Sequence, residues 1–428
     1  MTATASRTTN RRPELLAPAG GPEPFAAALA AGADAIYCGM GSFNARRKAT
    51  NFTDEAFEQA CRAAHLAGSR VYVTVNIVIK QSEMGDALQL IHRCSTLGAD
   101  AFIIQDWGLF FEVKRTMPGI ETHISTQANI HDDRGTLWCR EQGADRVTLS
   151  RELSIDEIAT IHDAAPDVDL EVFSHGAICF CYSGLCLLSS FAMAGRSANR
   201  GMCAQPCRLP FDLVGEEGVR LQPAERERAL CTRDNCVVGD VRALARAGVA
   251  SLKLEGRMKP SPYVYAVTSA YRVALDALAA GGQPNGEALR RRLKRSFNRG
   301  LVDCYLRGES GNGLMSYERS GNRGELVGHV LGFEPEPGFV PRDGQQLRGT
   351  VELELDAPVD AGDSLELRHE SEPARYLVVE APRAVDAGEH VVVRAPRAVL
   401  AGADVRVTRS VELVCEAAEA VSRLEREL

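Results

Sequence analysis

The chain has 428 residues, of which 25% are charged and 45% hydrophobic, and its formal net charge is −8 at pH 7. This length allows two or three domains, and the negative charge argues against a protein that coats nucleic acid non-specifically, although a local basic face remains compatible. Residues 1–13 lack the apolar core of a signal peptide, and no apolar run approaches the roughly 18 residues that span a membrane. We therefore expect a cytoplasmic protein without membrane contact, whose cysteines act as thiols or ligands rather than disulfides.

From Glu14 to about residue 280, short apolar runs alternate with amphipathic helical patterns. One phrase recurs where a helix hands over to a strand, as AGADA at 31–35, LGADA at 97–101, QGADR at 142–146 and AGVAS at 247–251. Its glycine is predicted to end the helix in the left-handed conformation. Eight strands alternating with helices indicate a (β/α)8 TIM-like barrel, with a doubly wound sheet as the alternative. The predicted strands are Glu14–Ala17, Ala35–Gly39, Val71–Asn76, Ala101–Asp106, Glu121–Thr126, Arg146–Ser150, Leu170–Ser174 and Ser251–Gly256.

Polar residues cluster where these strands end. In a (β/α)8 barrel the active site lies at the carboxyl ends of the strands. Strand seven ends at His175, and strand eight carries Lys253, Glu255, Arg257 and Lys259. A loop-capping or salt-bridge role fits any one of them, but their common location predicts a site at the barrel mouth. The other polar residues at strand ends are Asn44, Arg46, Arg47, Asn76, Gln105, Asp106, Ser125, Thr126, Gln127 and Asn129.

A cysteine-rich loop, 176–236, follows strand seven and is expected to lie over the barrel mouth, with the strand breaking at His175-Gly176. Seven of the 13 cysteines lie in this loop, among many Gly, Ser and Asn residues. Sets of soft thiolates select zinc or an iron–sulfur cluster. Isolated cysteines elsewhere fit buried free thiols instead. The loop cysteines are Cys179, Cys181, Cys186, Cys203, Cys207, Cys231 and Cys236, and the isolated ones are Cys38, Cys61, Cys94 and Cys139.

The hydrophobic period changes to two near the C-terminus. Six short alternating runs, divided by Pro, Gly and Asp turns, predict a small all-β barrel. The stretch before them is rich in Gly, Ser and Asn and is predicted to be a linker. The predicted organisation is a disordered N-terminus at 1–12, the TIM-like barrel at 13–310, the linker at 311–325, the β-barrel at 326–411 and a C-terminal strand and helix at 412–428.

A basic segment, ALRRRLKRSFNRG, occupies residues 288–300 and is predicted to form a short helix. Such a run is usually a solvated helix face, and contact with phosphate groups is the functional alternative. Its cations are Arg290, Arg291, Arg292, Lys294, Arg295 and Arg299.

Two phrases of the cysteine loop, EVFSHGAICFCYSGLCLLSS at 171–190 and SANRGMCAQPCR at 197–208, resemble the signature of the collagenase-like peptidase family U-32. Further matching phrases are ELLAPAGGPEPFAAALAAGADAIYCG, SLKLEGRMKPSPYV, FNRG and SGNRGELVG. The resemblance covers about residues 13–330. The trailing β-region resembles, more weakly, a C-terminal domain that some members carry.

This resemblance implies two kinds of activity. Some members are labelled proteases that degrade collagen, whereas others are iron–sulfur proteins that hydroxylate a ubiquinone precursor or a base of tRNA or 23S rRNA without oxygen, with prephenate thought to supply the hydroxyl. It also implies a 4Fe–4S cluster, whose irregularly spaced cysteines differ from the close pairs of a zinc knuckle, although zinc stays an alternative. The implied ligands are Cys179, Cys186, Cys203 and Cys236, with Cys207 or Cys231 as alternatives to Cys236.

Three functions remain open at this point. As a hydroxylase of RNA, the protein would hold a small dicarboxylate donor with Arg257 and Lys253 or Lys259, and would move a proton with His175 or Glu255. The basic segment and the β-barrel would then grip RNA. As a peptidase, it lacks HExxH and G-x-S-x-G motifs, and a dyad of Cys179 with a nearby histidine is the remaining arrangement. The third function is a non-catalytic binding protein that carries a cluster.

Overall fold

The computed structural model describes residues 12–223, 226–342, 345–372 and 375–428. Its first ten strands form one sheet that closes into a barrel, because the last barrel strand pairs in parallel with both the seventh and the first. The closed eight-stranded parallel barrel confirms the TIM-like prediction over the doubly wound alternative. The strands are β1 (Glu14–Pro18), β2 (Ala35–Cys38), β3 (Arg70–Val75), β4 (Ala101–Ile104), β5 (Glu121–Ile124), β6 (Arg146–Thr148), β7 (Asp169–Ala177), β8 (Asp234–Cys236), β9 (Val249–Leu254) and β10 (Leu301–Val302).

Helices surround this barrel as the helical patterns predict. None of the helices in the described part of the chain combines the length and the apolar character of a membrane-spanning segment. The predicted disordered N-terminus lies outside the described residues except for Arg12, which forms an ion pair with Asp34 at 2.7 Å. The helices are α1 (Pro22–Ala30), α2 (Asp54–Leu66), α3 (Met84–Thr96), α4 (Trp107–Thr116), α5 (Asp133–Glu141), α6 (Ile155–Ala164), α7 (Leu188–Ala192), α8 (Val241–Arg246), α9 (Ser261–Ala279), α10 (Gly286–Lys294) and α11 (Val411–Glu427).

The recurring Gly-Ala-Asp phrase ties each helix end to the barrel. The glycine has positive φ in its three copies and in the related phrase AGVAS at 247–251, as predicted. The aspartate that follows accepts a backbone N–H from the preceding strand, at 2.8 Å from Leu15 to Asp34, 2.7 Å from Val71 to Asp100 and 2.8 Å from Thr122 to Asp145. The phrase therefore supplies a turn and also satisfies a strand donor that the ladder leaves free.

Strand β7 is longer than predicted. It continues through His175 and Gly176 to Ala177, because these residues pair antiparallel with β8. The predicted break at His175-Gly176 is therefore wrong. The cysteine loop leaves the sheet only after Ala177 and returns to it at Asp234, so both of its ends are fixed to the barrel.

The C-terminal strands form a second, antiparallel sheet of six strands in the order β14-β13-β16-β11-β12-β15. The sheet curls around its own core of alternating Val and Leu residues, and its two end strands contact each other. The predicted linker contains a 3₁₀ turn at Gly311–Leu314. The strands are β11 (Glu325–Pro335), β12 (Gly349–Leu355), β13 (Ser364–Arg368), β14 (Tyr376–Glu380), β15 (His390–Ala395) and β16 (Asp404–Arg409).

The C-terminal tail is wholly helical, so the strand predicted at its start is wrong. The side chain of Ser410 caps helix α11 by accepting the backbone N–H of Leu413. Leu413 and Ala417 are buried, and Leu424 packs against the core of the TIM-like barrel. Their helical spacing overrides the short alternation in VELV, since α11 can bury that face against α1 and α9.

Candidate active site at the barrel mouth

The cysteine loop encloses a cavity of about 350 Å³, here called the thiol cavity. Five of the seven loop cysteines line it: Cys179, Cys181, Cys186, Cys203 and Cys207. None of them forms a disulfide. The cavity also borders residues from the ends of β2, β5 and β6, so the loop lies over the barrel mouth as its origin at β7 predicts.

Two glycines in the cysteine phrases allow the loop to approach the barrel closely. Both Gly184 and Gly201 have positive φ, and a Cβ on either would overlap a backbone carbonyl, that of Gln127 for Gly184 and that of Asn44 for Gly201. Beside them, Arg200 donates to both carboxylate oxygens of Glu83, at 2.8 and 2.6 Å. The loop is therefore held on the strand ends by backbone contact and by one bidentate ion pair.

Arg208 anchors the far side of the thiol cavity. Its guanidinium donates to the carbonyl oxygens of Ile178, at 2.8 Å, and Thr232, and lies 3.3 Å from the sulfur of Cys231. Cys231 is fully buried behind this arginine and does not line the cavity. It is therefore adjacent to the other thiols but separated from the cavity by a cation.

Cys236, the fourth ligand implied by the family resemblance, lies elsewhere. It belongs to β8, pairs with His175 of β7 and is buried beside the hydroxyl of Tyr271. Burial raises the pKa of its thiol. Cys236 does not line the thiol cavity, whereas Cys207, one of the two alternatives, does.

The donor set of the thiol cavity suits a metal–sulfur cluster. Five sulfur donors around one cavity are the ligands that soft metal ions and metal–sulfur clusters take. Burial and the neighbouring Cys186 raise the pKa of Cys181 to about 12, and burial raises that of Cys207 to about 11. A cationic group is needed to keep such thiols deprotonated at neutral pH.

A second, smaller cavity of about 40 Å³ lies at the mouth of the barrel and is here called the mouth cavity. Its wall includes Thr74, Ser125 and Lys253 from the strands and their ends. The two cavities share wall residues, so a molecule in the mouth cavity would lie next to the thiols. The shared residues are Ala45, Arg46, Gln127 and Arg151.

Arg257 is fixed in the wall of the mouth cavity. Nη1 donates to Asn44 at 3.2 Å and Thr74 at 3.0 Å, Nη2 donates to Asn51 at 3.1 Å, and Nε donates to the carbonyl oxygen of Ala19 at 3.4 Å. All four acceptors are neutral, and no carboxylate of the described residues forms an ion pair with Arg257, which is 3% exposed. A buried cation held only by neutral acceptors is a binding site for an anion.

Glu255 is the acidic group of the same wall. It accepts a hydrogen bond from Arg46 at 2.7 Å. Burial raises the pKa of Glu255, but the charges of Arg46 and Arg151 outweigh burial and leave the pKa below its ordinary value. Glu255 is therefore ionised at neutral pH and able to accept a proton, but its lowered pKa makes it a weak base.

Lys253 is committed to the barrel interior. Its ammonium donates to Glu171 at 2.7 Å, and the same carboxylate accepts from Thr148 at 2.8 Å and from Arg146 at 3.3 Å. Burial raises the pKa of Glu171, yet Lys253 and Arg146 lower it to about 2. Lys253 thus neutralises a buried carboxylate and is not free to hold a donor molecule, contrary to the sequence prediction.

The structure turns His175 away from the mouth. Its side chain is 2% exposed, its ring lies 5.7 Å from that of Tyr271, and its Nδ1 has no hydrogen-bond partner among the described residues. Burial lowers the pKa of His175 to about 4. A register shift between Phe173 and His175 in the pairing of β7 with β9 interrupts the alternation along the strand, so the ring of His175 packs in the core and the predicted role as a proton carrier is wrong.

Lys259 is also outside both cavities. Its ammonium lies 2.8 Å from the centroid of the Phe297 ring, within the FNRG phrase. Burial and the neighbouring Arg299 lower the pKa of Lys259 to about 7. Its cation faces an aromatic ring rather than the mouth cavity.

The arginines of the basic segment at 288–300 make structural contacts. Glu325 accepts from Arg291 at 2.9 Å and from Arg295 at 2.6 Å, so α10 is joined to the first strand of the second sheet. Arg292 forms an ion pair with Glu416 of α11. The remaining arginines are held as well, Arg290 by the carbonyl oxygen of Leu301 at 2.8 Å and Arg299 by Asp234 at 2.9 Å. We call this segment the clamp, because its ion pairs with Glu325 join the barrel to the second sheet, whereas the sequence suggested a solvated helix face with phosphate contact as the alternative.

Arg151 is a site residue that sequence reasoning missed. It follows β6, its guanidinium lies 4.1 Å from the centroid of the Phe173 ring, and it lines both cavities. No carboxylate of the described residues forms an ion pair with it. The signal was present, because Arg151 comes directly after the end of the sixth predicted strand, Arg146–Ser150.

Comparison with known proteins agrees with the resemblance in the cysteine phrases. The family model described as Peptidase family U32 matches residues 20–316. The 23S rRNA 5-hydroxycytidine synthase of Escherichia coli is 36% identical over 312 residues, which are 71% of this chain and 47% of that protein. This chain thus spans about half the length of that relative.

Two further relatives carry different names. The tRNA hydroxylation protein P of Haemophilus influenzae is 32% identical over 382 residues, covering 78% of this chain and 83% of that protein. A protein named Collagenase from Porphyromonas gingivalis is 33% identical over 310 residues, covering 69% of this chain and 74% of that protein. The names of these relatives therefore describe two chemistries within one sequence family, the hydroxylation of RNA and the cleavage of collagen.

Proposed function

Because this chain belongs to peptidase family U32, we propose that it is an iron–sulfur-dependent, oxygen-independent hydroxylase of a base in tRNA or 23S rRNA. The observation that carries the proposal is the contact between the two cavities. A cavity lined by five thiols adjoins one lined by Arg151 and Arg257, which form no ion pair within 4 Å with a carboxylate of the described residues, although both act on the charge of Glu255. The names of the relatives from E. coli and H. influenzae support RNA as the substrate class.

The thiol cavity would hold a 4Fe–4S cluster through Cys179, Cys186 and Cys203, with Cys207 as the fourth ligand in place of Cys236. Cys207 lines the cavity together with the first three, whereas Cys236 is buried in β8. When bound, the cluster would supply the electron transfer that hydroxylation requires. The protein would hold it against the mouth cavity and restrict access of water.

A small dicarboxylate oxygen donor of the prephenate type would place one carboxylate in the mouth cavity and extend into the adjoining thiol cavity. Arg257 is already oriented by Asn44, Asn51 and Thr74, so its fork does not need to be ordered when a carboxylate binds. Arg151 supplies a second unpaired cation on the wall shared with the thiol cavity. Glu255, kept ionised by Arg46, would accept a proton from the reacting base.

Peptide hydrolysis is less well supported by the geometry. A cysteine nucleophile needs a histidine within hydrogen-bond reach, and no histidine of the described residues lines either cavity. His175, the histidine nearest to Cys179 in sequence, is buried beside Tyr271. The collagenase name of one relative is therefore not matched by a catalytic dyad here.

The function is tested by deleting the gene and comparing the nucleosides of tRNA and rRNA by mass spectrometry. We expect one nucleoside to lose the mass of one oxygen atom, and we expect the wild-type gene to restore it. A gene carrying Arg257→Ala should fail to restore it, while one carrying Arg292→Ala, in the clamp, should succeed. An unchanged nucleoside profile, together with cleavage of gelatin by the purified protein, would refute the proposal.

The cofactor is tested separately by anaerobic purification with iron and sulfide counts and a visible spectrum. Single Ser substitutions of Cys179, Cys186, Cys203 and Cys207 should each lose the cluster absorption. Cys415→Ser, at an exposed cysteine of α11, is the matched control and should keep it. If Cys236→Ser loses the cluster while Cys207→Ser keeps it, the fourth ligand is Cys236. Stoichiometric zinc without iron would refute the cluster.

A further inference from the structure

The rim of the thiol cavity is electropositive although the whole chain carries a charge of −8. Two segments build it: 35–53, which is β2 with the loop that follows it, and 178–211, in the cysteine loop. Each segment contains three Lys or Arg residues and no Asp or Glu. The segments are in contact, because a Cβ on Gly201 would meet both the backbone of Asn44 and the side chain of Arg47.

Two of these six cations, Arg47 and Lys48, make no side-chain hydrogen bond or ion pair with the described residues. A third, Arg196, donates only its Nε, to the carbonyl oxygen of Met202 at 3.2 Å. Arg46 is paired with Glu255, Arg200 with Glu83, and Arg208 holds backbone carbonyls. The other three form no ion pair with any carboxylate of the described residues, and two of them line the thiol cavity. The unpaired cations are Arg47, Lys48 and Arg196, of which Lys48 and Arg196 line the cavity.

Exposed aromatic rings stand among these cations. Phe180 is 42% exposed and Tyr182 is 69% exposed, and both line the thiol cavity. Phe191 on the adjacent helix α7 is 83% exposed. Large aromatic side chains left in solvent beside unpaired cations provide stacking surfaces for bases next to contacts for phosphates.

We infer that this rim is the binding surface for an unpaired segment of RNA. Bases stack on Tyr182 and Phe180, and Arg47, Lys48 and Arg196 contact the phosphates. This inference rests on the proposed function and narrows it, because stacking requires bases that are free of a duplex. It also assigns RNA binding to the cavity rim and not to the basic helix α10, whose arginines are paired.

The test is fluorescence anisotropy of the full-length protein with a short labelled single-stranded RNA and with a duplex of the same sequence, over a range of salt concentrations. Tyr182→Ala should weaken binding of the single strand roughly tenfold, and Tyr182→Phe should not. The Arg47→Ala, Lys48→Ala double variant should lower the salt slope by roughly 0.7 for each phosphate that is no longer neutralised. Arg292→Ala is the matched control and should bind as wild type. Thermal unfolding verifies that each variant is folded.

Three results would overturn the inference. The first is that the protein binds single strand and duplex with equal affinity. The second is that Arg292→Ala loses binding while the rim variants keep it. The third is that an acidic peptide at the same charge concentration displaces the RNA. Its failure is distinguishable from that of the proposed function. If the modified nucleoside depends on the gene but forms normally in Tyr182→Ala cells, the rim inference is refuted and the hydroxylase proposal stands. If the nucleoside profile does not depend on the gene, the hydroxylase proposal is refuted.

Discussion

Two arginine-rich regions of this molecule differ in what their charges contact. In the clamp, Arg291 and Arg295 meet Glu325 and hold the second sheet to the barrel, while Arg292 meets Glu416 of α11 on the outer wall of the barrel. At the barrel mouth, the cations of the rim and the two cavities include several that meet no carboxylate of the described residues. The density of positive charge in the sequence is higher in the clamp, but the charge available to a ligand is at the mouth. Whether an arginine has a carboxylate partner, and not how many arginines a segment contains, distinguishes a charge that holds the fold from one that is available to a ligand.

The largest effect should come from breaking the clamp at its buried acid. Glu325 is 4% exposed and accepts from two arginines, so Glu325→Gln leaves Arg291 and the largely buried Arg295 without a counter-charge. We expect the free energy of unfolding in urea to fall by about 3 kcal/mol. The affinity for RNA should stay unchanged, since the rim is untouched. A variant that unfolds like wild type would mean that the clamp arginines find other partners.

At the mouth, the expected effect is on activity, beyond the loss of stability that follows from removing buried hydrogen bonds. Arg257→Lys keeps the charge but cannot reproduce the four hydrogen bonds to Asn44, Thr74, Asn51 and Ala19. We expect kcat/KM for the dicarboxylate donor to fall about 100-fold, near 3 kcal/mol. Arg292→Lys in the clamp is the matched control. Equal activity of Arg257→Lys and wild type would place the donor elsewhere.

The free energy of unfolding should depend on pH because of His175, which lies in the core behind the mouth and not in the clamp. The pKa of buried His175 is about 4, below its ordinary value of 6.5, so the unfolded chain takes up a proton first as the pH falls. Stability is therefore full above pH 6.5 and declines towards pH 4, by on the order of 2–3 kcal/mol. His175→Gln should flatten the dependence of urea unfolding on pH over this range. An unchanged slope would assign the loss to other groups.

The smallest effect should come from the exposed arm of the clamp. Arg292 and Glu416 are 29% and 35% exposed in their side chains, and ion pairs in such positions contribute little. We expect Arg292→Ala to lower the free energy of unfolding by about 0.5–1 kcal/mol, and less at high salt. A loss as large as that of Glu325→Gln would show that the two ion pairs act as one network.

The barrel was predictable because its evidence is local. Each strand has its own apolar run, and the Gly-Ala-Asp phrase marks the junctions, so the predicted strand ends fall close to the observed ones except at β7. From these ends alone the sequence placed Glu255 and Arg257 at the mouth. The cysteine phrases likewise placed Cys179, Cys186 and Cys203 in one loop, and all three line one cavity.

What could not be predicted depends on partners distant in the chain. β7 continues through His175 because β8 pairs with it from across the cysteine loop, which also buries Cys236. The basic segment looked free because its partner Glu416 lies 124 residues from Arg292. The four residues VELV at the start of the tail alternate as in a strand. They are helical because α11 packs on the surface formed by α1 and α9.

The return of α11 to the barrel has a consequence for modular engineering of this chain. The second sheet follows the barrel in sequence, yet the last helix belongs to the barrel's outer wall, where Leu424 joins its core. A truncation that removes everything after the linker would strip this wall as well as the sheet. An internal deletion that joins the linker to Ser410 would keep the wall covered. The second sheet is therefore connected to the barrel as an insertion before α11 and not as a C-terminal cassette.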